Sequence, residues 1–235
     1  MRYLHWAKRF YNRDFAFVSF DLSGHGQSGG QRGHITSYDQ FLDEVESAVS
    51  RTSEIYPGVP IILYGHSMGG NIAINYALRR CCMVSLLIAT SPWLKLIREP
   101  AWPTRMAIKL LNLTAPSLPL PSNIDPNLLS QIPEEVDKYR NDPLIHATTS
   151  PRLVYEISNA ARYAMEHASL LNLPFLLMHG QADGLTSFEQ SMELSTRVKT
   201  CSFIPWRGMY HELHHESVAD NVFSMIHEWI GGNLE

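Results

Sequence analysis

Three short apolar runs in this chain are each followed at once by turn-forming residues. Residues 15–20 run into Asp21 and the glycines at 24, 26, 29 and 30, residues 60–64 into Gly65 to Gly70, and residues 83–89 into Ser91 and Pro92. Runs this short, apolar throughout and rich in β-branched or aromatic side chains, predict parallel strands covered on both faces. Between the first two, Phe41, Leu42, Val45, Ala48, Val49 and Ile55 follow a helical period, with Thr36 and Ser37 as a start and Pro57-Gly58 as a stop. Residues 71–80 predict a second helix. Strand–helix–strand alternation implies a doubly wound, mostly parallel sheet with helices on both faces.

The alternation breaks over residues 92–165, which carry many prolines, no clean strand, and helical fragments at 105–113 and 151–167. It resumes with a strand at 174–179, a helix at 188–197, a strand at 201–205 and a closing helix at 217–230. The expected organisation is therefore a core of residues 1–91 and 166–235, interrupted by a helical cap at 92–165.

Composition excludes more than it assigns. The chain has 235 residues, 45% hydrophobic and 18% charged, with a net charge of −4, so it is neither disordered nor polybasic. Nucleic acid is not an expected partner. The start lacks the apolar run of a signal peptide, and no stretch approaches the ~20 apolar residues that span a bilayer. Cys81, Cys82 and Cys201 are an odd count without metal-ligand spacing, so reduced thiols and a cytoplasmic location are expected.

Gly65-His66-Ser67-Met68-Gly69 reads G-x-S-x-G, a weak pattern by itself. Here a strand precedes it and a helix follows, the context of a nucleophile elbow, in which flanking glycines remove side chains that would collide. A serine hydroxyl needs a histidine to take its proton and an acid behind that histidine. In this fold the order is Ser, acid, His, each on a loop after a strand. Asp183 follows the strand ending at His179, and His211 follows the strand ending at Pro205. Ser67, Asp183 and His211 are therefore the expected catalytic residues, with the backbone N–H of Met68 as an oxyanion donor. His179 is expected to be buried, His66 to support the nucleophile, and His214 and His215 compete with His211 for its role.

Two other motifs bear weighing. Gly24-His25-Gly26-Gln27-Ser28-Gly29 spells the dinucleotide fingerprint, but further glycines and Arg32-Gly33-His34 separate it from the next helix, so no cofactor is expected. His211-Glu212-Leu213-His214-His215 spells H-E-x-x-H, the zinc protease motif. Zinc would need a third ligand such as Glu228 and would leave Ser67 and Asp183 unexplained, so no metal is expected.

These motifs, with Asp21 to Ser28, Ile124-Asp125-Pro126, residues 139–144, His179 to Asp183 and Tyr210 to His214, resemble the monoacylglycerol lipase/lysophospholipase branch of the α/β-hydrolases. The resemblance runs from Arg2 almost to the C-terminus. It implies an α/β-hydrolase fold and a serine-dependent carboxylic ester hydrolase acting on monoacylglycerols, lysophospholipids or similar long-chain monoacyl esters. It implies that Tyr139, His214 and Arg2 are substrate-binding residues, Tyr139 and His214 lying near the alcohol pocket. It implies a cap whose apolar surface, from Trp93 to Leu111, touches membranes peripherally.

Family members also carry earlier strands and a His-Gly-x-Gly-Glu loop, and Arg2-Tyr3 is similar to the pair just after that loop. The expectation is a fragment, a misassigned start or a degenerate relative, with a gap between the strands at 15–20 and 61–64. Within the fold, a peptidase or small-ester hydrolase is the neighbouring reading. A catalytically impaired or non-enzymatic binding relative is the alternative from another class, and a zinc hydrolase using His211 and His215 the third.

Overall fold

The computed structural model describes residues 3–80, 83–122 and 124–234. Arg2, Cys81 and Cys82 lie outside the described residues. In chain order the elements are α1 (Leu4–Tyr11), α2 (Tyr38–Ile55), β1 (Ile61–His66), α3 (Met68–Arg79), β2 (Val84–Thr90), α4 (Trp102–Thr114), β3 (Leu120–Pro121), α5 (Pro133–Asn141), β4 (Thr148–Thr149), α6 (Pro151–His167), β5 (Phe175–Gly180), α7 (Phe188–Arg197), β6 (Cys201–Trp206) and α8 (Ala219–Leu234).

The main sheet has the order β1-β2-β5-β6 and is parallel throughout. Its central strands are apolar on both faces because each face meets helices. Leu87 and Ala89 of β2 and Phe175 and Leu177 of β5 pack with Ala73 and Ile74 of α3 and Leu194 of α7. The alternate residues Leu86, Ile88, Leu176 and Met178 face Trp6 and Phe10 of α1 and Val222, Phe223, Ile226 and Ile230 of α8. One strand thus feeds two cores, and every residue of β5 is buried. The architecture is that of the α/β-hydrolases.

The run at 15–20 is not part of this sheet. Among the described residues it pairs with no strand, and Val18 and Phe20 are 51% and 45% exposed. An apolar run becomes a strand only when a neighbouring backbone accepts its hydrogen bonds. This one instead anchors Phe15 and Phe17 against Phe10, at ring separations of 5.8 and 5.9 Å.

Two helices escape the sequence pattern. In α1, only Trp6 and Phe10 are buried, too few for a periodic signal. Helix α5 buries only Val136 but carries proline at its start, Glu134 and Glu135 in its first turn and Lys138 and Arg140 in its last, which suit the helix dipole.

Between β2 and β5 the helices differ in their attachment. Helix α6 lays Ile157, Ala160 and Ala161 onto the body of the protein, and Asn75 Nδ2 donates to Ala160 O at 3.1 Å. Helix α4 is almost wholly uncovered, with Asn112 its one buried residue. No described helix is long and apolar enough to cross a membrane.

Candidate active site

β1 ends at His66 and α3 begins at Met68, leaving Ser67 alone in the turn. Its φ of 53° and ψ of −117° are a strained backbone for a residue with a side chain. Three backbone bonds hold the strain. Ser67 N–H donates to Thr90 O at 3.0 Å, and Ser67 O accepts from Trp93 N–H at 2.9 Å and Asn71 N–H at 3.0 Å. The turn excludes a side chain at Gly65, where a Cβ would stand 2.3 Å from the Gly69 carbonyl oxygen. The motif's second glycine differs from expectation. A Cβ on Gly69 would meet nothing within 4 Å, and the other crowded position is Gly70, 2.9 Å from Pro92 Cβ. Met68 opens α3, so its N–H has no intrahelical acceptor.

Asp183 lies in the loop after β5, and five donors converge on its carboxylate. Oδ1 accepts from Leu185 N–H at 2.7 Å and Thr186 N–H at 3.0 Å. Oδ2 accepts from His211 Nδ1 at 2.7 Å, the Thr186 hydroxyl at 2.8 Å and His179 Nε2 at 3.0 Å. Burial alone would raise the carboxyl's pKa, but His211 and His179 outweigh it and hold the group well below the usual carboxylate range.

His211 lies after β6 and is 3% exposed. Its ring centroid is 4.7 Å from that of His66, the residue preceding Ser67. His66 is itself half-buried against Thr90, with Nδ1 3.0 Å from the Thr90 hydroxyl. Burial and then the charge of His211 push the His66 pKa down to about 3, so it stays neutral under the site.

Asp183 and His211 are thus brought together, at the same strand ends as Ser67. His214 is buried, its ring 4.9 Å from His66 and 5.2 Å from Tyr3. Tyr139 is half-buried in the last turn of α5, the helix whose Glu135 lies 3.8 Å from His215 Nε2. Ser91 and Thr186 escaped the sequence reading. Thr186 sits three residues after Asp183, a local signal for a side chain that closes an Asx-type turn. Ser91, after β2, had no such signal.

The H-E-x-x-H segment is not an α-helix. It is a turn followed by a short 3₁₀ helix at Leu213–His215, so its two histidines part. His211 faces Asp183, while His215 Nδ1 bonds Glu212 at 2.8 Å. The described residues close enough to share an ion are Glu212, His214 and His215, with donor atoms within 4.8 Å of one another; His211 is not among them. The glycine-rich segment at 24–29 also turns inward: Gly24 N–H donates to Gly29 O at 2.8 Å and Gln27 N–H to Asp21 Oδ2 at 2.8 Å. Its N–H groups serve the loop rather than a helix end facing a phosphate.

Between α4 and α6 lies a cavity of about 350 Å³, lined by Trp93, Leu94, Leu96, Trp102, Met106 and Val154 among others. Trp93 connects it to the elbow through the bond to Ser67 O.

Residues 1–218 match the family described as Serine aminopeptidase, S33. The chain is 35% identical to the monoglyceride lipase of Rattus norvegicus over 241 residues, covering 99% of this chain and 78% of the relative. It is 30% identical to the monoacylglycerol lipase of Mycolicibacterium smegmatis, over 99% of this chain and 84% of that one. Among solved structures, the Paleococcus ferrophilus monoacylglycerol lipase superposes with a TM-score of 0.91 at 30% identity, covering 99% of this chain and 89% of that one.

Proposed function

The chain belongs to the Serine aminopeptidase, S33 family of α/β-hydrolases, as a serine hydrolase of lipid esters, and on that premise we propose that Ser67, Asp183 and His211 cleave long-chain monoacyl esters through an acyl-enzyme. The observation that carries this reading is the 2.7 Å bond between His211 Nδ1 and Asp183 Oδ2, beside a serine held at φ 53°. With Nδ1 committed to the carboxylate, the Nε2 of His211 takes the Ser67 hydroxyl proton as the oxygen attacks the ester carbonyl. The oxyanion accepts a hydrogen bond from the Met68 N–H, and His211 then gives its proton to the leaving alcohol. Water repeats the sequence on the acyl-enzyme and frees the acid.

The substrate class rests on the relatives and on the cavity between α4 and α6. Its volume lies at the lower end of the ~300–1000 Å³ typical of small-molecule sites, and its apolar residues Trp93, Leu94, Leu96, Trp102, Met106 and Val154 suit an acyl chain, beside the charged Lys95, Glu99, Arg105, Lys109 and Arg162 that also line it. The alcohol half of the ester is assigned to the side of His214 and Tyr139. Residues 92–165 serve as the cap. Trp102, Leu110 and Leu113 on α4 are 66%, 62% and 81% exposed, and Arg105 and Lys109 stand between them. That face lies on a lipid surface and places a cytoplasmic enzyme at the membrane from which it draws substrate.

The test is Ser67→Ala, checked for folding by circular dichroism. It should lose hydrolysis of a monoacylglycerol by on the order of 10⁴-fold and lose labelling by a fluorophosphonate probe. Wild-type turnover in that variant would overturn the assignment.

A further inference from the structure

We infer that His179 is a positioning residue for the reaction: it holds the same Asp183 carboxylate oxygen that orients His211 and shares its charge. The inference rests on the reading of Asp183 and His211 as the working pair.

His179 is wholly buried near the end of β5. Its Nε2 lies 3.0 Å from Asp183 Oδ2 and 3.2 Å from the carbonyl oxygen of Thr186. Both partners only accept, so Nε2 carries a proton. Its Nδ1 lies 2.8 Å from the Ser191 hydroxyl, which donates to it in the neutral ring and thereby selects the Nε2–H tautomer. Asp183 Oδ2 is thus held between two imidazoles. The remaining donor to that oxygen, the Thr186 hydroxyl, also lies 3.1 Å from Ser91 O and has one proton to divide between the two. A structural account would ask only that a buried histidine find partners. Here one of its partners is the very oxygen that orients His211.

Two consequences follow from elementary electrostatics. With Oδ2 fixed by a second ring, the carboxylate cannot rotate away from His211, which favours turnover once substrate is bound. The His179 proton also withdraws charge from Oδ2, leaving less of it to face the imidazolium that forms on His211 during the reaction. Without that proton, Oδ2 presents its full charge to the His211 imidazolium and stabilises it more strongly.

The experiment is steady-state hydrolysis of a short-chain ester across pH for His179→Leu, His179→Gln and Ser191→Ala. In His179→Leu, kcat should fall on the order of 10-fold to 100-fold at unchanged KM. The acid limb of kcat/KM should move up by about half a pH unit. Gln, whose amide reaches the position of Nε2, should restore most of both. Ser191→Ala keeps the ring and its volume, and should show a smaller shift in the same direction. An unmoved acid limb in folded His179→Leu, or a Gln variant no better than Leu, would overturn the inference. If His179→Leu does not fold, the Ser191→Ala profile decides: an acid limb in that folded variant no higher than in the unaltered protein would overturn the inference. The underlying triad reading fails by a different result, namely retained activity in Ser67→Ala.

Discussion

The hydroxyl of Ser91 donates to the carbonyl oxygen of His211 at 2.8 Å, a bond between the end of β2 and the loop after β6. Ser91 is fully buried and has a φ of 44°. Its N–H donates to Met178 O at 2.9 Å, and its carbonyl oxygen lies 3.1 Å from the Thr186 hydroxyl. One strained serine thus ties together the loops carrying Asp183 and His211. Ser91→Ala should destabilise the protein by about 1–3 kcal/mol, because it leaves the His211 carbonyl oxygen buried without this donor. Ser91→Gly loses the same bond but relieves the left-handed backbone, so it should cost less than Ala. Urea unfolding midpoints of the two variants check this; equal midpoints would show that the backbone there is unstrained.

The two glycines of the elbow motif should behave oppositely. Gly65→Ala forces a Cβ to 2.3 Å from the Gly69 carbonyl oxygen and should cost more than ~3 kcal/mol or prevent folding. Gly69 sits within α3 with open space at its Cβ, so Gly69→Ala should be neutral or stabilise by up to ~1 kcal/mol. Thermal melting of both variants is sufficient to separate them.

Acid should unfold this protein through His66 before its carboxylates respond. In the fold His66 is held neutral, with a pKa of about 3 against an ordinary value of 6.5. Between those two values the unfolded chain binds the extra proton, so stability falls as pH drops from 6.5, by at most about 1.4 kcal/mol per pH unit. Asp183, held below the usual carboxylate range, adds a further loss below about pH 4. Denaturant midpoints from pH 7 to 4 should show this slope, and His66→Phe should flatten it above pH 4. A slope unchanged by His66→Phe would place the titrating group elsewhere.

The apolar residues that line the cavity between α4 and α6 should make kcat/KM rise with acyl length, since each buried methylene contributes about 0.8 kcal/mol. Ser158→Trp, at a lining position, should shorten the preferred chain without affecting short esters. A flat series from four to sixteen carbons in the unaltered protein would remove the acyl assignment from this cavity.

The uncovered face of α4 should bind vesicles containing phosphatidylglycerol more tightly than neutral ones, and salt should weaken the binding. Leu110→Glu together with Leu113→Glu should reduce co-sedimentation with such vesicles on the order of 10-fold, while hydrolysis of a water-soluble ester stays unchanged. Equal sedimentation of the variant would point to a different surface.

By itself the sequence determined what depends on neighbours along the chain. Short, mostly apolar runs closed by turn-forming residues marked β1, β2, β5 and β6, and for β2 and β5 a strand apolar on both faces has only one kind of environment. The serine, acid and histidine could be ordered because each falls on the loop after one of those strands. Contacts distant along the chain were decided only by the tertiary structure. Whether residues 15–20 form a strand depends on a backbone neighbour, and among the described residues it has none. Whether His211 or His215 meets Asp183 depends on a turn and a 3₁₀ helix that share the same letters as a zinc-binding helix. The second histidine on Asp183 and the serine beneath His211 are separated from their partners by folding rather than by spacing. A hydrogen bond across 120 residues leaves no periodic trace, because it is selected by the packing of two loops and by nothing local to either residue.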